Sequence, residues 1–204
     1  MTRILLVRHG HVDGIDPPRF RGRTELALDA LGERQAAAVA ARITAGWRPA
    51  AVLTSPMGRC IATGRAIAEA SGAPARVLES LNDLDYGAWS WMTHDEARAD
   101  DAALFEAWMT APQTVRFPGG ESLQDLAGRA ADALRLVCGE FGDACVVLVT
   151  HDAVARAILG EALEMPIVAH RRVELSPCGI SEFEIEGTGV KVLGVNATEH
   201  LTGL

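Results

Sequence analysis

Apolar positions fall into two kinds of block along the chain. Short continuous runs of partly β-branched composition stand at Ile4–Val7, Ala51–Thr54 and Cys145–Thr150, with a weaker one at Ala75–Leu78. Such runs are the mark of strands buried on both faces. Between them, longer segments repeat apolar residues at helical spacing. Asp29 is positioned to cap a helix over Ala30–Ala45, with Leu31, Val39 and Ile43 on its apolar side and Gly46 ending it. Ser55 and Pro56 read as N-cap and first residue of a second helix. Thr93-His94-Asp95-Glu96 has capping-box spacing and predicts a helix through about Met109. A loop rich in proline and glycine, Ala111–Gly120, precedes a longer helix from Ser122 to about Glu140, whose inward side carries Leu126, Leu134 and Val137. The run Cys145–Thr150 passes into a helix over Ala153–Leu159. Ile180–Ile185 and Val190–Val195, joined through Gly187-Thr188-Gly189, read as a terminal hairpin. Strands alternating with helices predict an α/β domain with a mostly parallel sheet. No repeat, low-complexity tract or linker divides residues 1–204.

Two of these strands end in chemistry. The first stops at Arg8-His9-Gly10 and the one at 145–150 stops at His151-Asp152. In open α/β sheets ligands bind beyond the carboxyl ends of the strands, where both histidines would be delivered. Gly10 lets the backbone turn sharply and approach a ligand. A lone histidine is usually structural; two at separate strand ends, each beside a charged residue, are hard to attribute to packing. The loop His11–Glu25 adds Arg19, Arg21 and Arg23. Arg59 falls in the first turn of the second helix, where a cation is unfavourable by about 0.3–1 kcal/mol. An anion shared with the helix N-terminus would reverse that sign. Position alone leaves Arg59 open between that role and a solvated surface arginine.

Charge sharpens the picture. Nineteen basic against 27 acidic residues give a net charge of −8, which argues against a nucleic-acid footprint and makes any concentrated basic pocket more telling. The four cysteines, Cys60, Cys138, Cys145 and Cys178, lack C-x-x-C spacing and read as buried reduced thiols. No apolar run approaches the roughly 18 residues of a membrane span, and Ile4–Val7 is too short for a signal-peptide core. A cytoplasmic protein is the expectation. Trp91, Phe105, Trp108 and Phe117 concentrate apolar bulk in the middle of the chain, read as packing under helices in preference to substrate contact.

Seven segments, in order, carry a family resemblance. Arg8-His9-Gly10 resembles the R-H-G signature of the histidine phosphatase superfamily, the phosphoglycerate-mutase-like fold. Gly22–Ala36, Thr54–Arg59, Asp83–Trp89, Gly119–Ser122, Val149–His151 and the tail Val195–Leu201 follow in the family's order. The resemblance implies a three-layer sandwich around a mostly parallel central sheet, a single domain over 1–204, and a cap contributed by 83–121. It implies a metal-independent phosphatase that needs no cofactor. His9 would be the nucleophile, and Arg8, Arg59 and His151 the phosphate clamp, with Arg21 and Gly22 also at the substrate. The implied partner is a small phosphorylated metabolite rather than nucleic acid or membrane, and a homodimer is among the assemblies allowed. Each role is chemically sound. A neutral imidazole can attack phosphorus if its other nitrogen donates to a fixed acceptor. Guanidinium forks match phosphate oxygens.

The sequence departs from the family pattern in four respects. Asp83 stands where the mutase-like branch usually has Glu. Asp152 follows the second histidine where that branch has Gly, and His151-Asp152 looks like the acid phosphatase and phytase branch, where the aspartate donates the proton. Both are therefore candidate general acids, with the residues flanking Asp83 favouring it. His11 replaces a common Glu, and the W-N pair seen nearby in mutases is absent. Other readings compete. His9-Gly10-His11-Val12-Asp13 also scans as H-x-H-x-D, a metal-hydrolase pattern, but Gly14 stands where a metallo-β-lactamase would continue with His. A phosphoglycerate-type mutase would usually carry paired arginines before the second histidine. Arg98, Arg116, Arg129 and Arg135 are not adjacent. A non-catalytic relative that binds phosphorylated ligands is the third alternative.

Overall fold

Six strands form one sheet in the order β3-β2-β4-β1-β5-β6 in a computed structural model that describes Met1–Leu204. They are β1 (Thr2–Arg8), β2 (Ala51–Thr54), β3 (Ala75–Val77), β4 (Cys145–Thr150), β5 (Ile180–Glu186) and β6 (Gly189–Ala197). The first four run parallel, and the terminal hairpin of β5 and β6 adds two antiparallel strands beside β1. The helices are α1 (Ala30–Gly46), α2 (Gly58–Ser71), α3 (His94–Asp100), α4 (Ala102–Thr110), α5 (Leu123–Glu140) and α6 (Asp152–Ala162).

The continuous apolar runs are explained by two cores, one on each face of the sheet. Leu5, Val7, Val52, Val147 and Val149 pack with Val39, Ala40 and Ile43 of α1 and with Cys60 and Ile67 of α2. Their strand neighbours Ile4, Leu6, Leu53, Val146 and Leu148 pack the opposite way, with α5, α6 and the middle segment. A strand buried on both sides has no polar face, so period-2 alternation disappears. The result is the three-layer sandwich that the sequence implies.

The middle segment packs as one aromatic cluster. Phe20, Tyr86, Trp89, Phe105, Trp108 and Phe117 stack mostly edge to face, with Tyr86–Phe117 at 4.9 Å and Trp108–Phe117 at 5.0 Å between centroids. Trp91 stands apart, half-buried under the Arg19 guanidinium at 5.0 Å.

Several boundaries differ from the sequence expectation. The helix expected from Thr93 to Met109 is broken at Asp101, whose N–H still bonds Ala97 while its carboxylate accepts from Leu104 N at 2.9 Å. It thus ends α3 and caps α4. Ser55-Pro56 does not open α2. That helix begins at Gly58 with Met57 as N-cap and no side-chain cap, while the Ser55 hydroxyl accepts the Met57 N–H and lies against His151. The helix expected over Ala153–Leu159 is longer, from Asp152 to Ala162. The third strand is shorter than Ala75–Leu78, and Cys138 and Cys145 are half-buried rather than buried. The capping box predicted at Thr93 forms, and Ser122, expected only as the start of the longer helix, makes one with Asp125.

Candidate active site

Strand pairing alone brings the two histidines together. β1 and β4 run in parallel register from Arg3 opposite Cys145 to Arg8 opposite Thr150. The residues that follow, His9 and His151, therefore emerge side by side, their rings 5.2 Å apart between centroids. β2 flanks β4 and delivers Ser55, whose hydroxyl lies 2.7 Å from His151 Nε2.

The loop after β1 is pinned by a close crossing over α1. A Cβ on Gly10 would come within 2.6 Å of the Gly32 carbonyl oxygen, and one on Gly32 within 2.2 Å of the His11 carbonyl oxygen. Only glycine fits at either place. From α2, Thr63 accepts the Gly10 N–H at 3.1 Å and donates to the Arg59 carbonyl at 2.8 Å. His11 points away from this centre: its Nδ1 meets Asp29 at 2.5 Å, and its N–H donates to Gln35. It buttresses the cap of α1, and no three His, Cys, Asp or Glu side chains converge as the H-x-H-x-D reading requires.

His9 is buried, and its Nδ1–H donates to the Gly10 carbonyl at 2.7 Å, which leaves the lone pair on Nε2. Burial, with His151, Arg59 and Arg8 close by, holds its pKa well below the ordinary histidine value, so the ring is neutral. His151 is neutral for the same first cause, burial, reinforced by Arg59 and other guanidiniums. Its Nδ1 accepts from Arg59 Nε at 3.2 Å while Nε2–H donates to Ser55.

Arg59 is fully buried, which excludes the surface-arginine reading. It donates to His151 Nδ1, to the carbonyls of Thr24 (2.8 Å) and Gly22 (2.6 Å), and to Asp83 Oδ2 (3.1 Å). Four of its five N–H groups are thus committed, leaving one Nη1 hydrogen. Arg8 is freer. Its Nη1 donates to the Leu175 carbonyl at 2.5 Å, and its buried Nε has no partner. The pocket is consequently rich in positive charge and short of acceptors.

Asp83 reaches the pocket from the segment after β3. Its Oδ2 lies 3.1 Å from Arg59 Nη2 and 3.4 Å from His151 Nδ1, and its Oδ1 accepts the Leu84 N–H. Burial raises its pKa above the ordinary aspartate value against the pull of Arg59. The turn that carries it is tied down from two sides. Thr150 donates to the Leu81 carbonyl, and Arg129 of α5 donates to the carbonyls of Ser80, Asn82 and Asp83 while gripping Glu121. Asp152 opens α6 and ion-pairs with Arg8 at 3.6 Å and Arg156 at 3.1 Å. It makes no hydrogen bond to His151. Arg21 anchors through Nη1 on the Gly14 carbonyl (2.6 Å), and Gly22, at a φ of +45° that favours glycine, contributes its carbonyl to Arg59.

A family model described as the histidine phosphatase superfamily (branch 1) matches residues 4–198. The chain belongs to this superfamily. A Mycobacterium tuberculosis relative named "Bifunctional protein Rv2228c" is 30% identical over 98% of this chain and 55% of its own length, so the chain spans about half of the curated relatives it matches there. The Enterobacter protein named "Probable phosphoglycerate mutase GpmB" is 30% identical over 91% of this chain and 86% of its own. Among solved structures, Bacillus stearothermophilus YhfR superimposes with a TM-score of 0.93 at 24% identity, covering 98% and 100% of the two chains. Phosphoserine phosphatase from Entamoeba histolytica gives 0.87 at 23% identity over 98% and 100%. These two likenesses are of fold.

Within the superfamily fold, six of the eight residues singled out in the sequence form one connected group: Arg8, His9, Arg59, Asp83, His151 and Gly22. Asp152 touches it through Arg8, and Arg21 stands on the wall of the adjoining cleft. Sequence reasoning missed Thr63 and Arg129, which hold the loop of Gly10 and the turn of Asp83. Thr63 lies four residues beyond Arg59 on the same helical face, a spacing that could have suggested it. Nothing local marks Arg129.

Proposed function

We propose that the protein hydrolyses a small phosphate monoester through a phosphohistidine on His9, without a metal. One observation carries this reading: a buried neutral His9, with Nδ1 committed to the Gly10 carbonyl, faces a pocket in which Arg8 Nε has no partner. A phosphate dianion supplies the acceptors and the negative charge that this pocket lacks. His9 Nε2 attacks phosphorus as the bond to the leaving alcohol breaks. Arg8 and the remaining Arg59 hydrogen bind phosphoryl oxygens, and the charge they balance is greatest as the bond changes.

Asp83 gives a proton to the departing alcohol. Burial favours its neutral form, as a general acid requires, whereas Asp152 is held in ion pairs with Arg8 and Arg156. In the second half, Asp83 takes a proton from water as the water oxygen attacks phosphorus, and His9 departs neutral. The segment 83–121 acts as the cap: Tyr86, His94, Trp108 and Met109 line the cleft beside the pocket. A hydrolysis screen across phosphorylated metabolites, with His9→Ala as blank, tests the reading. Release of inorganic phosphate supports it. Transfer to a second alcohol with no release to water supports the mutase alternative, and binding without turnover supports a non-catalytic relative.

A further inference from the structure

We propose that Ser55 is a positioning residue for the proton-donating step, acting through His151. Its hydroxyl accepts the His151 Nε2–H, so that the ring presents to Asp83 a nitrogen bearing no hydrogen. This rests on the phosphatase reading of the His9 pocket and deepens it. Asp83 can hand over a proton only while its neutral form is favoured, and a hydrogen bond donated to its carboxylate would favour the charged form. Whether His151 makes such a bond depends on which ring nitrogen holds the hydrogen.

Fixed groups hold both sides of the ring. Ser55 is fully buried just beyond β2, where its N–H donates to the Val149 carbonyl at 3.0 Å. Its Oγ accepts the Met57 N–H at 3.3 Å and lies 2.7 Å from His151 Nε2. On the other side Arg59 Nε donates to Nδ1 at 3.2 Å. A guanidinium has no acceptor, so Nδ1 carries no hydrogen while that bond stands. The same guanidinium donates through Nη2 to Asp83 Oδ2 at 3.1 Å, and Oδ2 lies 3.4 Å from Nδ1. Arg59 thus bridges the bare nitrogen and the carboxyl group. With Ser55 gone, a buried Nε2–H would keep only the Cys60 thiol, 3.4 Å away and a weak acceptor. Hydrogen on Nδ1 would then gain the Asp83 carboxylate as its acceptor. The other titratable and charged groups around the pair are Arg8 and His9 at the end of β1, Arg21 in the loop after it, Cys60 of α2, Tyr86, and Arg129 of α5. Of these, Cys60 also neighbours Ser55 and provides a control.

Long-range proton–nitrogen correlation spectra of the resting protein read the tautomer directly. Among the six histidines, the ring signals that vanish in His151→Gln belong to His151. They should show hydrogen on Nε2 only, whereas His9, whose Nδ1–H donates to Gly10, should show the opposite tautomer. Hydrogen on His151 Nδ1 in the wild type would overturn the proposal before any assay of activity. Kinetics then test the consequence with three variants. Ser55→Ala removes the hydroxyl, Ser55→Cys is nearly isosteric but supplies a weak acceptor, and Cys60→Ala alters packing beside the same ring. In both Ser55 variants the falling limb of the pH profile for propyl phosphate should move down by about one pH unit or more, and in Cys60→Ala it should stay in place. Above the new limb, kcat for propyl phosphate should drop about tenfold or more while kcat for 4-nitrophenyl phosphate stays within about threefold of wild type. An unmoved limb in folded Ser55→Cys, or equal losses on both esters, would overturn the proposal. A limb that moves as far in Cys60→Ala would overturn it too, by making packing the cause. Failure of the wild type to release phosphate from either ester would instead refute the phosphatase reading, and the spectra would still decide the tautomer.

Discussion

Replacing Asp83 with Asn removes one proton and little else. Asp83 uses Oδ1 to accept the Leu84 N–H at 2.9 Å and Oδ2 to accept from Arg59 at 3.1 Å. Asparagine has a single oxygen, so one of those donors faces an NH2 group and goes unmet, at a cost of about 1–3 kcal/mol. Relief from burying a carboxylate offsets part of that, since burial already disfavours the charged form. The fold should therefore survive with a small loss in thermal stability. The chemical cost is larger. General acid catalysis is worth about 10²–10⁴ in rate, or about 2.7–5.5 kcal/mol, when the leaving alkoxide is a poor one. A nitrophenolate leaves without a proton. Asp83→Asn should thus depress propyl phosphate hydrolysis by about 10²–10⁴ and 4-nitrophenyl phosphate hydrolysis by less than about tenfold, measured as kcat under saturating substrate. Asp152→Asn should lower both substrates by a similar factor, because Asp152 acts through its ion pair with Arg8. The reverse pattern assigns the proton to Asp152. Equal losses on both substrates for Asp83→Asn refute its role as the acid.

Other consequences follow from the same geometry. Arg59→Ala should lower kcat/KM by at least about 10², or 2.7 kcal/mol, and should also destabilise the fold by about 3–5 kcal/mol, because buried Asp83 loses its partner. Near wild-type kinetics would refute the clamp. Gly32→Ala forces a Cβ against the His11 carbonyl at 2.2 Å. It should cost about 1–3 kcal/mol, at roughly 2–4 °C in Tm for each kcal/mol, and an unchanged melting curve would contradict the close crossing. The pH profile for alkyl phosphates carries a sign. Asp83 acts in its protonated form and its pKa is raised by burial. Activity should therefore be present below that raised value and fall as pH climbs through it, with the falling limb absent in Asp83→Asn. A limb at the ordinary aspartate value would count against the assignment.

Much of this site could be read from the residues because strand ends are local signals. Ile4–Val7 and Cys145–Thr150 announce themselves as strands, and each stops at a histidine that the parallel register then sets beside the other. The capping box at Thr93 was legible for the same reason, since its partner Glu96 is close by in the chain. Contacts that depend on the tertiary fold were not. Ser55-Pro56 has the composition of a helix start, yet His151, 96 residues away, engages the Ser55 hydroxyl. Arg129 braces the turn of Asp83 from 46 residues away, through backbone carbonyls that carry no sequence signature. The break at Asp101 was hidden because His94–Asp100 before it and Ala102–Thr110 after it are both helical. Arg59 looked equally suited to solvent, since its acceptors at Gly22 and Thr24 are again carbonyls of a distant loop.

The central claim is a covalent bond between phosphorus and His9 Nε2. Rapid quenching into alkaline denaturant during turnover preserves a phosphoramidate, and peptide mapping by mass spectrometry then locates the phosphoryl group. The account predicts an 80-Da adduct on His9, the mass of HPO3, absent from His9→Ala and lost on brief acid treatment. Label on serine, aspartate or cysteine, or turnover by His9→Ala at the wild-type rate, would contradict it.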